Sequence, residues 1–443
     1  MRLTLVLLGL ALLLAAPAAA RSAGGDASGD PRASLSPVAT APVGEPPVTV
    51  ASGADDRWHA APVTIGFTAT AGASPVAATY VRVDGGAVVA TTSVVVAAPS
   101  DHANDGVHTI TYWSVDTAGR TEEPQSLQVK IDTGAPVVRG VTLRPTLLRR
   151  SGPVTVRLSF SDVSGAAAVS YVVSDQYGYL ARRDRSGRED AGACLLTIPT
   201  RSRNGRAFDP GLFRVRVSLT DEAGNRTEAR PLVFRDYHPV HARVTYHVNG
   251  AGKRVALTFD DGGPAWVWDR MLDTLKAYHM HATFFVVGPY VAAAPQVARR
   301  VVAEGHGIGS HGWTHAEMIR EGYSGVQREL VRSEAPWWRL AKATPVGWMR
   351  PPYGSHNATT VAAAGSVGFG HFIMWDVDPG DWRGYGSSTI AYNTLSHVHS
   401  GAIIGLHVRT NTMYALPAIL AGLRARGYES VSLPELFHAA GRR

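Results

Sequence analysis

The chain has 443 residues, 43 Lys and Arg against 36 Asp and Glu, and a single cysteine, Cys194. That length exceeds one ordinary core and, at roughly 150 residues per domain, implies about three units. The net charge of +7 is spread along the chain without a basic block, which argues against nucleic-acid binding and leaves room only for weak attraction to an anionic cell wall. A lone cysteine excludes an internal disulfide, so each domain must supply its own core.

Residues 1–20 place Arg2 before an apolar stretch from Leu3 to Ala16 and end in Ala18-Ala19-Ala20, the pattern of a secretory signal peptide. An uncleaved anchor is the alternative reading. The apolar run is short for a membrane span, and no other run reaches its length, so no transmembrane segment is expected after cleavage. Residues 21–49 are rich in Ala, Pro, Gly and Ser without an apolar period, the composition of a disordered linker.

Two all-β segments follow. In 50–135, Val63, Ile65 and Phe67 alternate with other residues, and the turn pairs Asp84-Gly85 and Asp105-Gly106 separate strand-like runs. In 136–237 the same alternation runs through Val154, Val156, Leu158 and Phe160, and again through Phe213, Val215, Val217 and Leu219. Both read as β-sandwiches. Each carries a similar signature near its end, "VDTAGRTE" around Asp116 and "TDEAGNRTE" around Asp221, which marks two related modules resembling bacterial Ig-like repeats. Each aspartate is expected to cap its own turn rather than hold calcium. Spacing and cell-wall contact are assigned to these modules on analogy of fold alone.

From 247 to 443 short apolar strands alternate with helix-length segments: "RVALTF", a helix over Trp266 to Tyr278, "ATFFVVG", "GIGSH", "HFIMWDV", "AIIGLHV", and a helix ending at Gly427. This grammar implies parallel β/α units, whose functional residues gather beyond the C-terminal ends of the strands. Three strand ends stand out. Asp260-Asp261 closes the first, "SHGWTH" (Ser310 to His315) closes "GIG", and His407 closes the last. His311 and His315, four apart, face one side if they lie on a helical turn. With one carboxylate from the first strand they make a three-ligand N,N,O set, the composition of a catalytic zinc site.

"TFDDG", "SHGWTH", "RPPYG" (Arg350 to Gly354), "WDVDPGDW" (Trp375 to Trp382) and "IIGLH" (Ile403 to His407) occur in order and at spacings that closely resemble those of the NodB-homology polysaccharide deacetylases, carbohydrate esterase family 4. The resemblance covers the whole third domain. It implies a distorted (β/α) barrel of about seven strands and a divalent metal, commonly zinc, with cobalt or nickel as alternatives. It makes Asp261 the metal ligand beside His311 and His315, and Asp260 the general base. It assigns the oxyanion to the backbone N–H of Tyr353 and makes His407 the acid that protonates the leaving amine. Arg350 is expected to pair with Asp260 as a bidentate guanidinium, Asp381 to support His407, and Trp382 with Tyr353 to wall the acetyl and sugar pocket. Two departures from the family pattern are Gly263 before Pro264 and Val408 after His407. His306 and His371 are assigned no role.

The function this implies is a secreted bacterial hydrolase, extracellular or wall-associated, that removes N-acetyl groups from N-acetylglucosamine-type polysaccharide. The competing readings are an O-deacetylase of acetylxylan and a catalytically silent wall-binding or adhesion protein.

Overall fold

The computed structural model describes residues 44–441. The signal peptide expected over 1–20, and most of the linker expected over 21–49, lie outside them. The first strand is Val48–Ser52, so ordered β structure begins two residues ahead of the expected boundary at 50.

In the first module a three-stranded sheet (Val48–Ser52, Val63–Thr70, Ser93–Val96) faces a five-stranded one centred on Gly106–Asp116. Val63, Ile65 and Phe67 from the first sheet pack with Ile110, Tyr112, Val129 and Ile131 from the second, which is the two-sheet packing that strict alternation dictates. The second module repeats this. Val154, Val156, Leu158 and Phe160 meet Phe213, Val215, Val217 and Leu219 in one buried cluster between a three-stranded and a six-stranded sheet. The two signature turns are self-capped. Asp116 Oδ1 accepts from the N–H groups of Ala118 and Arg120, and Asp221 Oδ1 accepts from that of Asn225.

The third domain is built on parallel strands β1 (Arg243–Thr245), β2 (Arg254–Asp261), β3 (Thr283–Val286), β4 (Gly307–Ser310), β5 (Trp348–Met349), β6 (His371–Ile373) and β7 (Ile403–His407), hydrogen-bonded in the order β1-β6-β5-β4-β3-β2-β7. An eighth short strand, β8 (Glu429–Ser430), pairs with the start of β2. β1 precedes residue 247, so the sheet starts before the expected boundary. The ends of the path approach each other: His247, just after β1, bridges to Ala402, just before β7. The result is a curled, irregular barrel with seven strands in its path.

Helices α1 (Ala265–Tyr278), α2 (Gly288–Ala293), α3 (Pro295–Ala303), α4 (Gly322–Ala341), α5 (Ala358–Ser366), α6 (Ser387–His397), α7 (Thr410–Ala425) and α8 (Leu433–Ala439) cover the sheet. α1 shows why. Pro264 sits at its N-cap, Val267, Trp268, Met271, Leu272 and Leu275 form one buried stripe, and His279 ends it with φ of 53°. That stripe packs with Phe259 and Phe284 of the strands in the main core. Among the described residues no helix is long and apolar enough to cross a membrane.

The second sandwich docks on this domain through polar contacts. Gln176 exchanges two hydrogen bonds with the backbone of Thr344, Arg235 and the Tyr237 hydroxyl meet Glu334, and Tyr179 lies 4.1 Å from the His438 ring. Thr344 precedes β5, and Ile308, touched by Tyr177, is the second residue of β4. The docking face is therefore the N-terminal end of the strands, and the C-terminal ends stay open.

Candidate active site

β2 brings the two aspartates to the rim in different ways. Its alternation turns Phe259 outward into the helix-packed core and Thr258 and Asp260 inward. Asp260 is 5% exposed, and Arg350, fully buried, reaches it from the end of β5. Arg350 Nη1 donates to Asp260 Oδ1 at 2.7 Å and to Thr258 Oγ1 at 2.8 Å, while Nε and Nη2 donate to the carbonyls of Ile373 and Met374. The guanidinium also lies over Phe285, 4.5 Å from the ring centroid. The bidentate fork expected from sequence is not formed. A single nitrogen serves the carboxylate because the other two are anchored on β6 and the residue that follows it.

Asp261 turns away from Asp260 because the strand ends there: its φ is 71°, and Gly262 follows at 114°. A Cβ on Gly262 would meet Tyr290 Cβ at 2.6 Å, so that close approach requires glycine. The turn carries Asp261 Oδ1 to 3.4 Å from His311 Nε2 and 3.0 Å from His315 Nε2. Oδ1 is buried without a hydrogen-bond donor among the described residues. His311 Nδ1 donates to the Arg350 carbonyl at 2.9 Å, which fixes its tautomer and leaves the Nε2 lone pair facing Asp261. His315 Nδ1 lies 3.1 Å from the Tyr353 hydroxyl. Acceptor atoms from three residues thus converge within 4.8 Å, a donor set that fits a divalent cation.

The expectation that His311 and His315 share a helical turn is corrected. Residues 311–315 form a loop, with Gly312 at φ of 80° and His315 at 62°. A side chain that sequence reasoning missed holds this loop. Glu329, on the buried face of α4, accepts from the N–H groups of Trp313 and Thr314 and from the Thr314 hydroxyl at 2.7, 2.8 and 3.0 Å. Nothing in the sequence marks Glu329 apart from its place among Val326, Leu330 and Trp337 on a largely apolar face.

His407 closes β7 opposite Asp260 in the β2 register. Its Nδ1 lies 2.8 Å from Asp381 Oδ1, and its backbone N–H donates to Oδ2 at 2.7 Å. Asp381 is fully buried and also accepts from Thr412 Oγ1 at 2.6 Å. Burial lowers the His407 imidazole, but Asp381 by hydrogen bond and Asp260 by charge outweigh it and raise the imidazole above its ordinary value. Tyr353 and Trp382 expose their rings at the rim, 70% and 48%. An open cleft of about 500 Å³ beside Asp261 is lined by Gly262, Tyr290, His315, Val408 and Arg409. The two departures from the family pattern touch: a Cβ on Gly263 would lie 2.6 Å from the Val408 carbonyl. His306 and His371 lie elsewhere. His306 is buried, accepts from the Ala282 N–H and is lowered to about 3 by burial, and His371 stacks on Trp348.

The family model for polysaccharide deacetylase matches residues 247–371. The peptidoglycan-N-acetylglucosamine deacetylase PgdA of Listeria monocytogenes is 32% identical over 226 residues, 51% of this chain and 46% of PgdA, so the chain spans about half the length of that relative. The solved structure of the peptidoglycan deacetylase PdaC from Bacillus subtilis is 29% identical, covering 43% of this chain and 92% of that one, with a TM-score of 0.40. A chitooligosaccharide deacetylase of Bradyrhizobium sp. is 35% identical over 200 residues, 42% of this chain and 90% of that protein. With a relative matched at this identity over nearly its whole length, the chain belongs to the polysaccharide deacetylase family.

Proposed function

We propose that the chain is a secreted, metal-dependent hydrolase that removes N-acetyl groups from N-acetylglucosamine-type polysaccharide, carried on two Ig-like spacer modules. The observation that carries this reading is the separation of Asp260 from Asp261: one carboxylate is held by Arg350, the other faces two imidazole nitrogens. Asp261, His311 and His315 would hold the metal, zinc by the composition of the donor set. A divalent cation there supplies Lewis acidity, which acidifies water and polarises the acetyl carbonyl.

Asp260, fixed by Arg350, takes the proton of the attacking water. The backbone N–H of Tyr353 donates to the oxygen that gains charge. His407 carries its mobile proton on Nε2, since Nδ1 is engaged by Asp381, and gives it to the amine nitrogen as the C–N bond breaks. The raised imidazole suits an amide, whose nitrogen must be protonated to leave. Relatives named for peptidoglycan-N-acetylglucosamine and chitooligosaccharide deacetylation support the substrate class.

Acetate release from peptidoglycan, N-acetylglucosamine oligomers and acetylxylan tests the reading. Release from the first two is expected. Release from acetylxylan alone would make the chain an O-deacetylase, and none from any substrate after metal loading would make it a silent wall-binding scaffold.

A further inference from the structure

The joint between the two sandwiches holds a second convergence of ligand atoms, remote in sequence from the active-site residues. Asp132 directly follows the last strand of the first module, Gln125–Ile131. Asp162 follows strand Val154–Ser161 and Asp221 ends strand Gly211–Asp221, both in the second. Their carboxylate oxygens all lie within 4.8 Å of one another. An independent feature points to a ligand: Asp132 is fully buried, and its Oδ2 has no hydrogen-bond partner among the described residues. Such an oxygen costs about 1–3 kcal/mol, more if charged, unless something satisfies it.

The other oxygens are preorganised. Asp132 Oδ1 accepts from the Gly134 N–H at 3.2 Å, and Asp162 Oδ1 from the Ser164 N–H at 3.1 Å and from the Ser164 hydroxyl. Asp221 accepts from the Asn225 N–H and, at 3.0 Å, from its side-chain amide. The same amide donates to the carbonyls of Asp132 and Gly134, tying the modules together. The neighbouring charges acting on Asp132 come from Asp162, Asp221 and Asp105, all acidic, and with burial they push its carboxyl up to about 6.

The related turn of the first module shows what is missing. Asp116 there is neutralised by Arg120, whose Nε lies 2.7 Å from Oδ2, and against the effect of burial its carboxyl stays below its ordinary value. In the second module Asn225 occupies the position of that arginine. The same buried aspartate therefore has a neutral amide where its counterpart has a cation, and two further carboxylates beside it.

We propose that Asp132, Asp162 and Asp221 bind one calcium ion that fastens the first sandwich to the second. An oxygen-only donor set suits calcium, whose ligand oxygens at about 2.3–2.6 Å stand up to roughly 5 Å apart across the ion. The ion supplies the positive charge that Arg120 supplies in the first module.

Titration of the chelator-treated, zinc-reloaded full chain with calcium chloride, followed by calorimetry, tests this. One site is expected, with a dissociation constant on the order of 10⁻⁴ M or tighter. Asp162→Asn should weaken it at least about tenfold, because one of three charged ligands is lost. Asp261→Asn, which alters the histidine site, should leave it unchanged. Asn225→Arg should abolish calcium binding while raising the unfolding temperature in chelator towards that of the calcium-loaded wild type. No binding up to about 10 mM calcium, beyond the range of extracellular modules, overturns the proposal. Binding that Asp162→Asn leaves intact also overturns it, and this variant alone decides if Asn225→Arg does not fold.

Discussion

Arg350→Met removes the guanidinium from a pair that solvent barely reaches, the two side chains being 0% and 7% exposed. Asp260 is left as a buried carboxylate without its cation, and Thr258 Oγ1 and the carbonyls of Ile373 and Met374 lose their donor. Breaking a buried pair from one side costs about 3–5 kcal/mol. At about 2–4 °C per kcal/mol for a domain of this size, the catalytic domain should unfold roughly 6–20 °C lower in scanning calorimetry. Turnover should fall about 100-fold or more, since the base loses its fixed rotamer. The double variant Asp260→Asn/Arg350→Met removes the charge together with its partner. Its cost should fall short of the sum of the single costs by at least about 1 kcal/mol. A single variant that melts within about 3 °C of wild type, or strict additivity in the double, would refute the view that burial makes this pair interdependent.

Asp381→Asn should move the alkaline limb of kcat on an N-acetylglucosamine oligomer to lower pH. In the wild type Asp381 keeps His407 protonated to higher pH against the effect of burial, and without that charge burial prevails; an unmoved limb would mean that His407 is not the acid. Glu329→Gln should weaken metal binding about 10–100-fold in a chelator competition while the circular dichroism spectrum stays native, because the loop carrying both histidines loses its charged anchor. Unchanged affinity would show that the loop is held by Trp313 packing alone.

The parts of this molecule written in local sequence were legible. Alternation at Val63, Ile65 and Phe67 and at Val154 to Phe160 announces two-sheet packing, and the apolar stripe of α1 announces a helix within one residue of its start. Parallel strands carry their functional side chains at one end, so the sequence alone puts adjacent "DD", "SHGWTH" and "IIGLH" on one rim. What depends on distant segments was not legible. His311 and His315 meet through the loop conformation of Gly312 and His315, not helical spacing, and Glu329 enters from a helix whose pattern gives no hint of it. The docking of Gln176 on Thr344 joins residues 168 apart. Asp221 caps its turn as its sequence context implies, but Asp162 comes beside it only when the second module folds, and Asp132 only when the first module meets the second.

The central claim is that adjacent carboxylates have divided duties, and metal content measured beside acetate release tests it most directly. Asp260→Asn protein, purified and loaded like the wild type, should retain one equivalent of metal and release almost no acetate from an N-acetylglucosamine oligomer. Asp261→Asn should lose both. If Asp260→Asn loses the metal while Asp261→Asn keeps it, or if Asp260→Asn stays active, the assignment of base and ligand at the end of β2 is wrong.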